Sequence, residues 1–310
     1  MDNELLLGTL NSIDHKKINF DTKFADEEII VKMDEVKLLS TTNDLEYFDS
    51  KGKLWIGKLR FGTDDSTHFY IITSDTTVTF SKKKLFEIEK HSDKFKDHLE
   101  ISADIGFNFA EKSKTSNLSL QTKAAYEAKR WNAAMELNIF ATTIDTVGTG
   151  KGNFGVTLSY MLPRNWLIFA TRDRSTNDAQ QLKLRTNYLV GIGKYLYRSG
   201  KTDLLIDSGL SSNKEKFTVS ETVYRSVEYY ASLNYDTEFL KDLNFQTAYT
   251  IMPSLTESKR YRNYFVVNLK YKLTKHLKTK LGYTFNYDTN PPVNSTKDDY
   301  QLLFTLGWEL

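Results

Sequence analysis

The chain has no cysteine, so disulfides, thiolate metal sites and thiol chemistry are all closed to it. Proline is scarce, 4 in 310 residues, which suits long uninterrupted strands. Net charge is nearly absent. Against 42 basic residues stand 40 acidic ones, a balance of +2 that argues against a dedicated nucleic-acid binder. No apolar run approaches the roughly 18 residues that cross a bilayer as a helix, and mean hydropathy is −0.48. These absences exclude a helical membrane protein but not a barrel, whose strands hide their lipid face in alternation. The start, Met1-Asp2-Asn3-Glu4, lacks the basic region and apolar core of a signal peptide. A mature form with Met1 added is the expectation.

Aromatics are abundant: 18 Tyr and 19 Phe contribute to a 13 % aromatic share that favours strands. Residues 1–96 read as a small Sm-like or SH3-like β module in two copies, about 1–48 and 49–90. The first copy holds Leu7–Leu10, Lys17–Phe20, Ile29–Val31 and Val36–Leu39; the second holds Ile56–Leu59, Phe69–Ile72, Val78–Phe80 and Leu85–Ile88. Turns are expected at Asp14–Lys17 and Ser50–Lys53. With 15 basic and 18 acidic residues and no basic-aromatic stripe, the module suits a periplasmic structural or protein-binding role better than nucleic acid.

From Leu99 onward, a period of two recurs twelve times. The closing pair is the clearest. Leu277, Thr279, Leu281, Tyr283, Phe285 and Tyr287 alternate with polar residues, as do Tyr300, Leu302, Phe304, Leu306, Trp308 and Leu310. Trp166–Thr171 is short and ambiguous in phase. An even strand count and an aromatic terminal strand predict a twelve-stranded antiparallel transmembrane barrel over residues 97–310, in the outer membrane with the module in the periplasm. Short turns alternate with longer polar loops near 111–117, 143–151, 172–180, 211–221, 253–262 and 288–299. That places Trp131, Trp166 and Trp308 together in a periplasmic-side aromatic girdle. A soluble β-sandwich or large soluble barrel is the rival for alternation alone.

The chain resembles a family of salt-induced outer-membrane proteins, domain-of-unknown-function family 481. The residues that carry the likeness are Gly8-Thr9-Leu10 through Leu38, Ile105-Gly106-Phe107-Asn108, Leu189–Tyr195, Tyr287-Asp288-Thr289-Asn290-Pro291-Pro292 and Asp298–Trp308. Family members usually end in Phe, where this chain ends Trp308-Glu309-Leu310. The resemblance implies an outer-membrane location and no particular activity.

Chemistry-bearing residues concentrate on the wet face of the barrel. The candidate lumen charges are Glu100, Asp104, Lys123, Glu127, Glu136, Lys183, Arg185, Asp207, Glu228, Lys270, Lys272, Lys278 and Lys280. They fit either a narrow pore for small solutes, with anions near the Lys270/Lys272/Lys278/Lys280 cluster, or a salt-bridged plug filling a narrow barrel. A non-conducting envelope-stress protein, whose module binds a periplasmic partner, is the alternative class. The five histidines, His15, His68, His91, His98 and His276, show no metal-ligand spacing and none is placed to activate a serine, so an outer-membrane hydrolase is the weakest reading. Gly148-Thr149-Gly150-Lys151-Gly152 has glycines but not the phosphate-loop spacing, and reads as a turn. No cofactor or metal is expected. Outer-membrane lipid and the barrel-assembly machinery are the expected partners.

Overall fold

The computed structural model describes all residues except 1–3, 15–16, 26–28, 49–52, 63–66, 82–86, 93, 111–114, 129, 179, 199–201, 219, 241, 275, 292–296 and 310. The turns expected at Asp14–Lys17 and Ser50–Lys53, the strand start Leu85-Phe86, Pro292 and the terminal Leu310 fall wholly or partly outside that set. The chain divides into two units, Met1–Asp97 and His98–Leu310.

Among its described residues the first unit has nine strands: β1 (Thr9–Asp14), β2 (Lys17–Asp21), β3 (Ile29–Lys32), β4 (Leu39–Ser40), β5 (Leu45–Phe48), β6 (Leu54–Phe61), β7 (His68–Ile72), β8 (Thr77–Ser81) and β9 (Glu87–Lys90). The meander β1-β2-β3 recurs as β6-β7-β8. The copies do not close on themselves. β9, the last strand of the second, pairs with β1, the first strand of the first. β4 and β5, late in the first copy, pair with β6. One core results, holding Leu10, Ile13, Ile18, Met33, Leu45 and Tyr47 with Leu59, Phe61, Phe69, Ile71 and Ile88.

The second unit is a closed barrel of twelve antiparallel strands joined in sequence order. They are β10 (Leu99–Ala110), β11 (Thr115–Ala128), β12 (Trp131–Ile144), β13 (Val147–Leu162), β14 (Trp166–Asn177) and β15 (Leu182–Arg198), then β16 (Thr202–Phe217), β17 (Ser220–Leu240), β18 (Leu243–Pro253), β19 (Tyr261–Lys272), β20 (Leu277–Asp288) and β21 (Asp298–Glu309). β21 closes on β10 through Ser102–Ile105 against Leu306–Glu309.

The barrel is inverted relative to a water-soluble protein. Side chains shielded from solvent include Ser102, Asp104, Ser119, Asp207, Glu215, Glu228 and Lys278, while Phe107, Ile139, Leu158, Val190, Leu210, Leu302 and Phe304 are exposed. A polar interior within an apolar wall is stable only where the outer solvent is lipid.

Three of the expected long loops are largely strand. β12 and β13 meet at the two-residue turn Asp145-Thr146, β14 continues to Asn177, and β16 continues to Phe217. Strands of 12 to 21 residues on this side exceed the roughly 9–11 needed to cross a bilayer. The excess is wet on both faces, so its hydrogen bonding persists while its hydrophobic alternation vanishes. Gly148–Gly152 therefore lies in β13 and not in a loop. The phase of β14 is also settled: Leu167, Phe169, Thr171 and Asp173 are inward, while Trp166, Ile168, Ala170 and Arg172 are more exposed.

Candidate functional site

The site is the barrel lumen, and period-two alternation decides what reaches it. Along β14–β17 the interior is packed by apolar groups. Leu167 and Leu189 are buried, and the Phe169 and Tyr230 rings meet edge-on at 6.3 Å. Gly191 makes room for them, because a Cβ there would sit 2.5 Å from Phe169 Cζ and 2.6 Å from the Ser208 carbonyl oxygen. Asp207 accepts hydrogen bonds here from Tyr230 and, at 2.6 Å, from Asn234.

Open space lies against the remaining strands as two cavities. One, of about 560 Å³, is lined by eight Lys or Arg and five Asp or Glu side chains. The other, of about 420 Å³, lies toward the short-turn end and is lined by three basic and six acidic side chains. They share Glu100, Gln246, Lys270 and Lys278. The first chamber is thus net basic and the second net acidic, and no histidine lines either among the described residues.

Ion pairs hold the walls. Lys278 donates to Glu309 at 2.8 Å and lies 3.9 Å from Asp104. Lys280 donates to Asp104 at 3.1 Å and also to Gln121. Asp104 belongs to β10 and both lysines to β20, so these pairs pass over β21 at Gly307, where a Cβ would fall 1.8 Å from Asp104 Oδ1. Lys123 pairs with Glu100 at 3.0 Å, and Lys272 lies 3.6 Å from Glu309. Lys270 lines both cavities and has no ion pair among the described residues.

A second network sits at the far end. Arg260, in the β18–β19 connection, donates to both oxygens of Asp288, at 2.7 and 3.2 Å, and to Glu257 at 3.1 Å. It also lies 3.8 Å from Glu215, whose other oxygen accepts from Arg185 at 2.6 Å. Arg262 donates to Glu228. The connection itself is fixed to β17, with Leu255 N donating to Val227 O at 2.7 Å and Val227 N to Thr256 Oγ1 at 3.0 Å.

Of the expected lumen charges, Glu100, Asp104, Lys123, Glu136, Arg185, Lys270, Lys278 and Lys280 line the larger cavity, and Lys272 lines the smaller. Asp207 and Glu228 are buried in the wall and Glu127 is exposed, outside both linings. Lys183 departs from expectation. The register skips between Leu182 and Leu184, a bulge that turns Leu182 inward and leaves Lys183 exposed. Glu215 lies in the outer part of β16, where the hydrophobic alternation has ended, and Arg260 lies in a loop where alternation has no force. Lys151, Arg262, Asp236 and Glu309 are among the further charges in the linings. All of these except Arg260 lie on strands, where extending the period would have reached them. Trp131, Trp166 and Trp308 all point outward near the short turns. Trp131 packs on Tyr160 at 4.7 Å and Trp308 on His276 at 6.4 Å.

The closed sheet, apolar wall and charged interior define a transmembrane β-barrel. Residues 104–309 match the model of the family described as "Protein of unknown function, DUF481", and the chain belongs to that family. A search of curated proteins finds no match. Among solved structures, the chain is similar to the NanC porin at 11 % identity and a TM-score of 0.41, with 68 % of this chain and 97 % of that one covered. It is also similar to the KdgM porin in complex with disordered oligogalacturonate, at 12 % and 0.37, with 67 % and 97 % covered. The translocator domain of the autotransporter NalP from Neisseria meningitidis follows at 10 % and 0.35, with 68 % and 88 % covered. Similarity this distant says nothing of what enters the barrel.

Proposed function

We propose that this chain spans the outer membrane as a narrow passive pore for small solutes, with residues 1–97 in the periplasm. One observation carries the reading: two water-accessible cavities abut within the lumen at Glu100, Gln246, Lys270 and Lys278. Each lies within the roughly 300–1,000 Å³ of an ordinary small-molecule site, so solutes of that size set the scale. The excess of cations in the larger chamber favours anions there. Outer-membrane lipid and the barrel-assembly machinery belong to this reading as partners, and no catalytic step does.

The experiment is single-channel recording with the full chain in planar bilayers. Discrete, steady current steps are expected. A second reading, a non-conducting envelope protein with a salt-bridged lumen whose module binds a periplasmic partner, draws on the Asp104–Lys278–Lys280–Glu309 network inside the wall. A folded, inserted barrel that passes no current would favour it and sink the pore.

A further inference from the structure

The outer wall is not uniform around its circumference. On β14–β17, at the end away from the short turns, the outward residues turn basic. Register aligns Arg174 with Thr186, Thr186 with Lys214, and Lys214 with Arg225, forming one row across four neighbouring strands. Arg172 lies one outward position below Arg174, its guanidinium 5.7 Å from the Tyr188 ring centroid. Lys216 lies one position above Lys214, and Lys183 is turned out beside it by the bulge in β15. All six are exposed.

No outward-facing side chain described on β14–β17 is acidic. The nearby turn carboxylate Asp178 accepts from the Gly150 N–H at 2.8 Å. At the same end of β19–β21 the outward residues include Tyr261, Tyr283 and Tyr300, aromatic and neutral. The row is therefore a local feature and not a general rim of charge.

Its height follows from strand geometry. Arg174 lies eight residues beyond Trp166 on β14. At about 3.3 Å per residue this is about 26 Å along the strand, or about 20 Å along the membrane normal at a tilt of 35–45°. With Trp166 at the short-turn interface and an apolar band of about 25 Å, the backbone of the row falls about 5 Å inside the outer edge of that band, a depth from which long basic side chains reach the head groups of the outer leaflet. Ile168, Val190, Leu210 and Tyr229 form the apolar wall below it.

We propose that Arg174, Lys214 and Arg225, flanked by Arg172, Lys183 and Lys216, bind the phosphate groups of a phosphorylated outer-leaflet glycolipid. Guanidinium and ammonium groups in a row match phosphates fixed at one depth, while acyl chains lie against the apolar wall beneath. Charge complementarity selects this occupant over a protein partner: six exposed cations, with no ion pair among the described residues, favour a densely anionic surface and disfavour an ordinary mixed-charge one. The inference rests on the outer-membrane reading and deepens it.

The test uses the full chain in detergent micelles and native mass spectrometry with three probes: a bis-phosphorylated glycolipid, its dephosphorylated counterpart, and inorganic phosphate as competitor. The wild-type barrel is expected to retain the phosphorylated lipid and not the dephosphorylated one. The triple variant R174Q/K214Q/R225Q is expected to bind on the order of a hundredfold more weakly, each charge contributing about fivefold. Equal retention by the variant, equal retention of the dephosphorylated lipid, or displacement by millimolar phosphate would each overturn the site. Heat-modifiable gel mobility checks that the variant is folded; if it is not, R174Q and R225Q singly carry the test at about fivefold each. Failure to insert into vesicles would defeat the membrane reading itself, whereas an inserted barrel without lipid discrimination defeats only the lipid site.

Discussion

Four lysines crowd the inward face of β19 and β20, and three of them are answered by carboxylates. Lys278 and Lys280 meet Asp104 and Lys272 meets Glu309, while Lys270, between the two cavities, has no ion pair among the described residues. The cluster was legible as a set from alternation alone; which member stays uncompensated depends on partners on other strands, Glu309 on β21 and Asp104 on β10, and no local pattern reports that. A cation that lines both cavities acts on every passing ion, so Lys270→Glu should shift the permeability ratio several-fold toward cations. Reversal potentials under a salt gradient read this directly. Lys272→Gln should leave the ratio nearly unchanged, because its side chain is 55 % exposed and such pairs are screened. If the two variants behave alike, Lys270 is not the selective group. Arg260 makes a different case. Its side chain is 5 % exposed and faces Glu215, Glu257 and Asp288, so Arg260→Ala leaves buried carboxylates without their cation. A loss of about 3 kcal/mol is expected, seen as a lower temperature for loss of compact gel mobility.

Among the elements, the β10–β21 junction is the weak one. Among the described residues it has four register pairs, from Ser102↔Glu309 to Ile105↔Leu306, where the β17–β18 junction has nine and β10–β11 twelve. Fewer ladder bonds raise the value of whatever else spans the seam, and Asp104 spans it. The glycine at 307 lets the Asp104 carboxylate lie across β21 and reach Lys278 and Lys280 on β20. Asp104→Asn removes the charge at nearly constant volume, and should cost about 1–3 kcal/mol because the groups involved are buried. Thermal denaturation of refolded barrels would measure the loss. Glu100→Gln, which breaks the half-exposed Lys123 pair, should cost under about 1 kcal/mol. Equal losses would mean that Asp104 does no special work at the seam. The existence and order of all twelve strands were readable, and the facing of most, since each has a stretch with lipid on one side and the lumen on the other; the short apolar run Trp166–Thr171 left the phase of β14 open. Strand ends were not. Past the membrane edge both faces are wet, so Ser211–Phe217 reads as loop while pairing as strand, and the bulge at Leu182–Leu184 reverses Lys183 without any change in composition.

For the whole molecule, the instructive contrast is between two ways of closing a sheet. The barrel closes by joining neighbours in sequence, with only β10 and β21 meeting from afar. This is why local alternation predicted it so fully. The N-terminal unit instead crosses its two copies, β9 returning to β1 and β4 and β5 turning to β6. The exchange was not legible in the sequence, because two strands of like composition offer the same edge to either partner. The exchange has an energetic consequence. Ile88 of β9 is fully buried with Leu10 and Ile13 of β1, and Leu45 and Tyr47 of β5 with Leu59 and Phe61 of β6, so neither copy encloses a core by itself. Half-modules of fewer than 50 residues would also bury too little surface to offset chain entropy. Residues 1–97 expressed alone should therefore be soluble, rich in strand and unfold in one cooperative transition, while residues 1–48 and 49–97 should each be unfolded. Mixing the two halves should restore the circular dichroism of the intact unit, because each supplies the strands the other lacks. Independent folding of either half would show that the crossed pairing is dispensable to the core.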